Sequence, residues 1–167
     1  MPRGRSVRPT PERAREAWMN VLGSELEGAS VLDLFAGSGA LGLEALSRGA
    51  VQATFVERDR RVLKYLRDNI AALDAGGMAS VVASDVFAYL DSIGAAAFDI
   101  AFADPPYGRG LASRVVERYE GNPFARILSV EHEPGEPLSS PRAGDERRYG
   151  DTVITFISAA DLEEDRT

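Results

Sequence analysis

The stretch VLDLFAGSGALGLEAL, residues 31–46, carries the pattern that decides the fold. It opens with a short apolar run that predicts a buried strand, and it leads into residues 41–47, whose spacing predicts a helix closed by Gly49. The glycines between these elements permit a tight turn and a close approach of the backbone to a ligand. The N–H groups at the start of the helix favour negative charge. The stretch therefore predicts a strand, a binding loop and a helix.

The same alternation of strand and helix continues along the chain. Apolar runs predict further strands at 53–56, 79–83, 98–103 and 127–130. Helical spacing predicts helices at 11–22, 59–73, 86–90 and 111–119. Strands that alternate with helices form a parallel sheet with helices on both faces. We expect one α/β domain over residues 1–167, closed by a β-hairpin around Gly150-Asp151.

Two of these helices carry specific expectations. The first helix should have Thr10 as its N-cap and Pro11 at its first helical position, with Trp18 on the buried face. In the helix over 59–73, one face holds the apolar positions Val62, Leu66, Ile70 and Leu73.

The composition is that of an ordinary globular domain. Of the 167 residues, 44% are hydrophobic and 27% are charged, and no apolar run approaches the ~20 residues of a membrane span. We expect no membrane partner, a cytoplasmic location and a monomer. The chain has no cysteine, which excludes disulfides and thiolate ligands. His132 stands between two glutamates, but neighbouring strand residues point to opposite faces, so no metal site is expected.

Charge is distributed unevenly along the chain, whose formal net charge is −7. Residues 1–9 are expected to form a basic arm, and residues 158–167 are expected to form a mobile acidic tail. A basic arm can contact the phosphates of a nucleic acid, although a solvated terminus has the same composition. The candidate contacts in the arm are Arg3, Arg5 and Arg8.

The glycine loop satisfies GxGxxG, the pattern of dinucleotide-binding loops, at Gly37, Gly39 and Gly42. The pattern alone is weak, because a tight turn without a ligand also shows it. Its context is stronger, since Glu57 follows Gly39 by 18 residues, close to the spacing of an acid that binds ribose hydroxyls. Asp85 ends the third strand beside the same crevice and can accept a hydrogen bond from an adenine amino group.

A carboxylate beneath the loop helps to distinguish two nucleotide cofactors. Asp33 would attract the cationic amino-acid end of S-adenosylmethionine, whereas it would repel the pyrophosphate of NAD. Val86 and Phe87 would supply apolar contact to the adenine ring. The predicted cofactor contacts are Asp33, Phe35, Ala36, Gly37, Ser38, Gly39, Glu57, Arg58, Asp85 and Val86.

The tetrad Asp104-Pro105-Pro106-Tyr107 follows the fourth strand and suits chemistry on the exocyclic amine of a base. Such an amine is a poor nucleophile because its lone pair is delocalised into the ring. The Asp104 carboxylate and the Pro105 carbonyl can accept its two hydrogens and draw the nitrogen toward a tetrahedral shape. Tyr107 offers a flat face on which an extruded base can stack. These four residues are the candidate catalytic residues; a proline-rich turn is the structural alternative.

Taken together, these segments resemble the bacterial 16S rRNA (guanine-N2)-methyltransferase family. The matching stretches are RPT at 8–10 with Arg13 and Arg15-Glu16, LDLFAGSGALGLEAL at 32–46, Glu57, DPPY at 104–107 and VEH at 130–132. The resemblance implies a Rossmann-like class I methyltransferase fold, a mostly parallel seven-stranded sheet with the last strand antiparallel. It implies S-adenosyl-L-methionine as cofactor and ribosomal RNA, or the assembling small ribosomal subunit, as partner. It also places Arg8 and Thr10 near the mouth of the site.

The sequence is compatible with three alternatives. The same chemistry could act on another RNA, on a DNA amino group or on a protein amide. The glycine loop could belong to an NAD-dependent oxidoreductase, although that reading leaves the tetrad unexplained. A non-catalytic binding module could keep the cofactor pocket alone.

Overall fold

The computed structural model describes residues 11–138 and 144–164, which form one seven-stranded sheet with helices packed on both faces. The strands are β1 Ser30–Leu34, β2 Gln52–Glu57, β3 Ala79–Ala83, β4 Phe98–Ala103, β5 Ala125–His132, β6 Asp145–Tyr149 and β7 Thr152–Ser158. The helices are α1 Glu12–Leu22, α2 Ala40–Ser47, α3 Arg60–Ala72, α4 Val86–Asp91, α5 Leu111–Gly121 and α6 Ala159–Glu164.

The strand order across the sheet is β3-β2-β1-β4-β5-β7-β6. Strands β1 to β5 pair in parallel, while β7 runs antiparallel between β5 and β6. The predicted fold class and the terminal hairpin are therefore confirmed. The chain adds β2 and β3 on one side of β1, and β4 and β5 on the other. Ligands in open α/β sheets bind beyond the carboxyl ends of the strands at such a reversal.

The core consists of two apolar layers, one on each face of the sheet. On the first face, Trp18 of α1 packs edge-on against Phe102, with 5.9 Å between the ring centroids. The Trp18 indole N–H donates to Ser129 Oγ at 2.8 Å, and the Ser129 hydroxyl donates to the Ala101 carbonyl at 3.0 Å. On the second face, Tyr119 of α5 packs against Phe124. Trp18 is fully buried, as predicted.

Two helix details differ from the sequence predictions. Helix α1 begins at Glu12, and Pro11, with φ −53° and ψ 141°, is the N-cap rather than the first helical residue. Thr10 lies outside the described residues. Leu73 was predicted to be buried, but it caps the carboxyl end of α3 and is 65% exposed. The buried face of α3 consists of Leu63, Leu66 and Ile70.

The acidic segment predicted as a mobile tail, residues 158–167, is structured over most of its length. Ser158 ends β7, and Ala159–Glu164 form α6. Ala159 and Leu162 pack against the apolar layer that contains Tyr119, whereas the composition of this segment had indicated a tail. Their small apolar stripe stabilises the helix despite the charges around it. The predicted basic arm, residues 1–9, lies outside the described part of the chain.

Candidate active site

The glycine loop leaves β1 through three residues in the left-handed region. Phe35, Gly37 and Gly39 have φ values of 56°, 57° and 84°, and the value at Phe35 is unusual for a residue with a side chain. The Ala36 N–H donates to the Val56 carbonyl at 3.0 Å, which ties the loop to β2. Ala36 and Gly39 are buried, while Ser38 is exposed at the tip. The loop therefore has a defined shape, with its backbone turned toward the carboxyl edge of the sheet.

Glu57, at the end of β2, connects the glycine loop to the start of α3. Its Oε1 accepts the Gly37 N–H at 3.0 Å, and its Oε2 accepts the N–H groups of Arg58 and Asp59, both at 2.9 Å. A carboxylate has about four acceptor positions, so these three bonds leave room for one more, on Oε1. Acceptance of both ribose hydroxyls, as the sequence predicts, would require exchange of one backbone partner.

Asp33 lies beneath the loop and is only 1% exposed. Its Oδ2 accepts the Gly42 N–H at 3.0 Å. Burial raises the pKa of Asp33 to about 8; the Gly42 hydrogen bond opposes this shift, and the nearby Glu57 charge adds to it. In this arrangement Asp33 braces the loop, and its contact with a cationic ligand stays a prediction.

Gly42 has a packing role rather than a ligand-binding role. A Cβ at this position would lie 2.4 Å from the Phe55 ring and 3.2 Å from Asp33 Oδ2. The third glycine of the GxGxxG pattern therefore lets α2 approach β2, as it does where a helix packs closely on a strand.

The predicted adenine contacts lie at the next strand end. Asp85 is the N-cap of α4, where its Oδ2 accepts the Ala88 N–H at 3.0 Å. Its Oδ1 lies 3.9 Å from Arg58 Nη1. Val86 and Phe87 are nearly buried, and the Arg114 guanidinium lies 3.9 Å from the centroid of the Phe87 ring. Phe87 thus has one face of its ring covered by Arg114.

The DPPY tetrad begins where β4 ends, with Asp104 half-buried and Pro105 buried. The Tyr107 hydroxyl donates to Glu131 Oε1 at 2.8 Å. Burial raises the pKa of Tyr107; the hydrogen bond and charge of Glu131 and the charge of Asp104 add to the shift, while a Thr152 hydrogen bond opposes it. The hydroxyl therefore stays protonated and serves as a donor, which fixes the direction of the ring.

Glu131 is the residue that sequence reasoning missed. It is 4% exposed on β5, and its partner Tyr107 lies 24 residues earlier in the chain. The sequence contained one signal, a carboxylate directly after the predicted strand at 127–130. His132, beside it, is also 4% exposed, and its Nε2 lies 2.7 Å from Thr155 Oγ1, which makes it a packed core residue.

The strand register places these groups along one edge of the sheet. Leu34 of β1 pairs with Val56 of β2 on one side and with Ala103 of β4 on the other, and Ala103 pairs with Val130 of β5. The residues that follow these four are Phe35, Glu57, Asp104 and Glu131. Since neighbouring strands lie about 4.8 Å apart, the glycine loop and the tetrad border a common crevice. The structure thus brings together the two predicted halves of the site.

Two grooves on the described surface lie away from this edge. Two shallow grooves, of about 270 and 230 Å³, lie toward the amino ends of the parallel strands, one beside Phe124 and the other beside Ile127. Within residues 11–138 and 144–164, no group of histidines and carboxylates is arranged to hold a metal ion. In the same ranges no helix has the length and apolar character needed to cross a membrane. The predicted contacts Arg3, Arg5, Arg8 and Thr10 lie outside the described residues.

Known proteins resemble this chain over most of its length. A family model described as conserved hypothetical protein 95 matches residues 1–158. Ribosomal RNA small subunit methyltransferase D of Escherichia coli (strain K12) is 45% identical over 122 residues, which are 73% of this chain and 61% of that protein. The protein of the same name from Haemophilus influenzae is 34% identical over 140 residues, which are 81% of this chain and 72% of that protein.

The solved structure of the protein yhhF from Escherichia coli superimposes with a TM-score of 0.78 at 38% identity, covering 93% of this chain and 89% of that one. The chain spans about three fifths of the length of the Escherichia coli methyltransferase D that it matches. The match to the family model covers nearly all of the chain. The chain therefore belongs to the family described as conserved hypothetical protein 95, alongside relatives named ribosomal RNA small subunit methyltransferase D.

Proposed function

We propose that this protein transfers a methyl group from S-adenosyl-L-methionine to the exocyclic N2 amino group of a guanine in small-subunit (16S) ribosomal RNA. The observation that carries the proposal is the shared edge: the glycine loop after β1 and the DPPY tetrad after β4 leave adjacent, paired strands. The names of the relatives from Escherichia coli and Haemophilus influenzae support the same reaction class and substrate.

The cofactor half of the site fits an adenosyl group with a charged amino-acid end. Glu57 keeps one acceptor position for a ribose hydroxyl, and the Asp85 side chain is 48% exposed at the next strand end. The turned backbone of the glycine loop lets a ligand approach closely. Bound S-adenosyl-L-methionine supplies a methyl group already activated by its sulfonium.

The base half of the site orients the nucleophile. The Asp104 carboxylate and the Pro105 carbonyl accept hydrogen bonds from the amino group, and the Tyr107 ring stacks on the extruded base. Glu131 holds the Tyr107 hydroxyl at 2.8 Å and so sets the angle of that ring. The main source of rate is alignment of the nitrogen with the methyl carbon. The methylated amine is acidic and gives up its proton without a strong base.

The remaining parts of the proposal concern the chain as a whole. Residues 1–167 act as one methyltransferase domain, and Arg3, Arg5, Arg8 and Thr10 contact RNA near the mouth of the site. The partner is ribosomal RNA or the assembling small subunit, which implies work in the cytoplasm, and the protein acts as a monomer.

Methyl transfer from tritiated S-adenosyl-L-methionine to total RNA, DNA and protein tests the proposal. We expect the label in the small-subunit ribosomal RNA. After digestion of that RNA to nucleosides, the label should be recovered as N2-methylguanosine. Label in another RNA, in DNA or in protein would keep the chemistry and change the substrate. Calorimetry with S-adenosyl-L-methionine and with NAD completes the test, because binding of NAD alone would refute the methyltransferase assignment.

A further inference from the structure

We propose that one flank of α3 is a second RNA-docking surface, which contacts phosphates beyond the target base. We call it the α3 flank and define it as Arg60, Lys64 and Arg67. The proposal rests on the proposed function, because it assigns the same RNA to a further surface of the molecule. Residues at i, i+4 and i+7 lie in one row along a helix, so these three side chains form a single stripe. All three are exposed.

The α3 flank is not neutralised by the protein. Within the described part of the chain, none of its three side chains forms an ion pair. Among the described residues five other arginines pair with carboxylates, including Arg48 with Glu44, Arg126 with Glu25 and Arg147 with Asp145. The chain as a whole carries a net charge of −7. The α3 flank is thus a row of three exposed cations on an acidic protein, with Asp68, four residues after Lys64, as an exposed carboxylate beside it.

The placement of these charges works against the stability of the helix. Arg60 and Arg61 occupy the first turn of α3, where the helix dipole disfavours cations. Arg60 and Lys64, four residues apart, are like charges and repel each other. Asp59 uses its carboxylate to cap the N–H groups of Arg61 and Val62. Helix formation alone thus gives no reason for this arrangement, whereas an external polyanion would reverse the sign of both effects.

The orientation of α3 leaves the stripe open to a large partner. On the opposite flank of the helix, the Asn69 amide donates to the Ser38 carbonyl of the glycine loop at 2.9 Å. The α3 flank therefore points away from α2 and the loop, while its first residue follows closely after Glu57 of the candidate site. The stripe extends over about 10 Å, roughly the axial length of three stacked nucleotides.

The chemistry of the helix favours RNA over an anionic membrane. A membrane-surface helix needs a free apolar face, but Leu63, Leu66 and Ile70 of α3 are buried in the core. Tyr65 is 55% exposed, but it lies about 100° around the helix from Lys64 and therefore stands outside the α3 flank. The α3 flank thus presents cations without a free apolar face, which suits the phosphates of an RNA better than an anionic membrane surface.

The test compares two variants with the same change in charge. One is Arg60→Gln/Lys64→Gln/Arg67→Gln, and the matched control is Arg48→Gln/Arg126→Gln/Arg147→Gln, which removes three paired arginines. Filter binding to transcribed small-subunit ribosomal RNA is measured from 50 to 300 mM KCl. We expect the α3 variant to bind about ten-fold more weakly at the lowest salt, with a slope of log K against log salt reduced by about two. We expect the control to keep most of the wild-type slope, and Arg60→Lys/Arg67→Lys to keep all of it.

Several results would overturn the α3 surface. One is an equal loss of RNA affinity in both triple variants, which would attribute the effect to net charge. Another is an unchanged salt slope of RNA binding in the α3 variant. A third is an α3 variant that loses binding to phosphatidylglycerol vesicles but keeps binding to RNA. Thermal unfolding and calorimetry with S-adenosyl-L-methionine confirm that each variant is folded. If the wild-type protein transfers methyl groups to RNA and the α3 variant binds RNA as tightly as wild type, the docking surface is refuted and the proposed function is not. If wild-type protein transfers none, the proposed function fails as well.

Discussion

The two halves of the candidate site hold their carboxylates in different ways. On the cofactor half, Glu57 accepts three backbone N–H groups and Asp33 accepts a fourth, from Gly42. On the base half, Glu131 accepts a side-chain hydroxyl, that of Tyr107. Backbone donors persist whatever side chain the sequence carries, whereas a side-chain donor is lost with one substitution. We infer that the fold sets the cofactor half and that individual side chains set the base half.

The largest expected effect is on the base half. In Asp104→Ala the amino group loses its charged acceptor, so we expect the rate of methyl transfer to fall by about 10³-fold. The affinity for S-adenosyl-L-methionine, measured by calorimetry, should stay within a few-fold of wild type. The control is Asp99→Asn at the other end of β4, where Asp99 accepts the Ser30 N–H at 2.9 Å. Comparable transfer by Asp104→Ala would refute the role assigned to it.

A substitution in the cofactor half should lower the affinity for the cofactor and leave the transfer rate nearly unchanged. In Glu57→Gln the amide keeps one acceptor oxygen, so either the Gly37 N–H or those of Arg58 and Asp59 lose their partner. We expect the affinity for S-adenosyl-L-methionine to fall by about ten- to a hundred-fold, with the transfer rate at saturation within a few-fold of wild type. Glu44→Gln, on the surface of α2, is the matched control. An unchanged dissociation constant would show that Glu57 does not support the cofactor.

The Tyr107–Glu131 pair tests whether the base half depends on a single hydrogen bond. We expect Tyr107→Phe and Glu131→Leu each to lower kcat by about ten-fold. The kcat of the double variant should be no lower than that of the less active single variant. Glu131→Gln keeps an acceptor and should restore most of the rate. Strictly additive losses in kcat, accompanied by a lower melting temperature, would assign Glu131 to stability instead of ring orientation.

The smallest expected effect is a pH dependence of the folding stability, which arises from Asp33 in the cofactor half. The pKa of Asp33 is raised from 3.8 to about 8, mainly by burial, so the folded chain holds this proton more tightly than the unfolded chain. The resulting contribution to stability is complete below pH 3.8 and is lost as the pH rises through 8. Asp33→Asn cannot ionise, so its stability relative to wild type should rise by about 1 kcal/mol between pH 7 and pH 9.

Urea unfolding at the two pH values measures this difference, with Asp151→Asn in the exposed hairpin turn as the control. A gap between Asp33→Asn and wild type that does not change with pH would mean that Asp33 is already ionised in the folded protein at neutral pH.

Local elements were predictable because their signals lie within short segments. The ranges of β3 and β4 match the prediction, since apolar runs bounded by turn residues define them. The end of β5 was not predictable in the same way. It extends to His132, past the predicted Val130, because pairing with β7 continues through Glu131 and His132. A polar residue gives no local sign that a distant strand will pair with it.

The sequence alone determined the alternation of strands and helices, the glycine loop after β1 and the tetrad after β4, because periodicity and turn chemistry act over a few residues. Only the tertiary structure decided that Glu131 would meet Tyr107, that Gly42 would face Phe55 and that α6 would pack. These outcomes depend on which distant residues share a buried surface or an edge of the sheet. That choice is made by burial and strand pairing across the whole chain, so no short segment of sequence contains it.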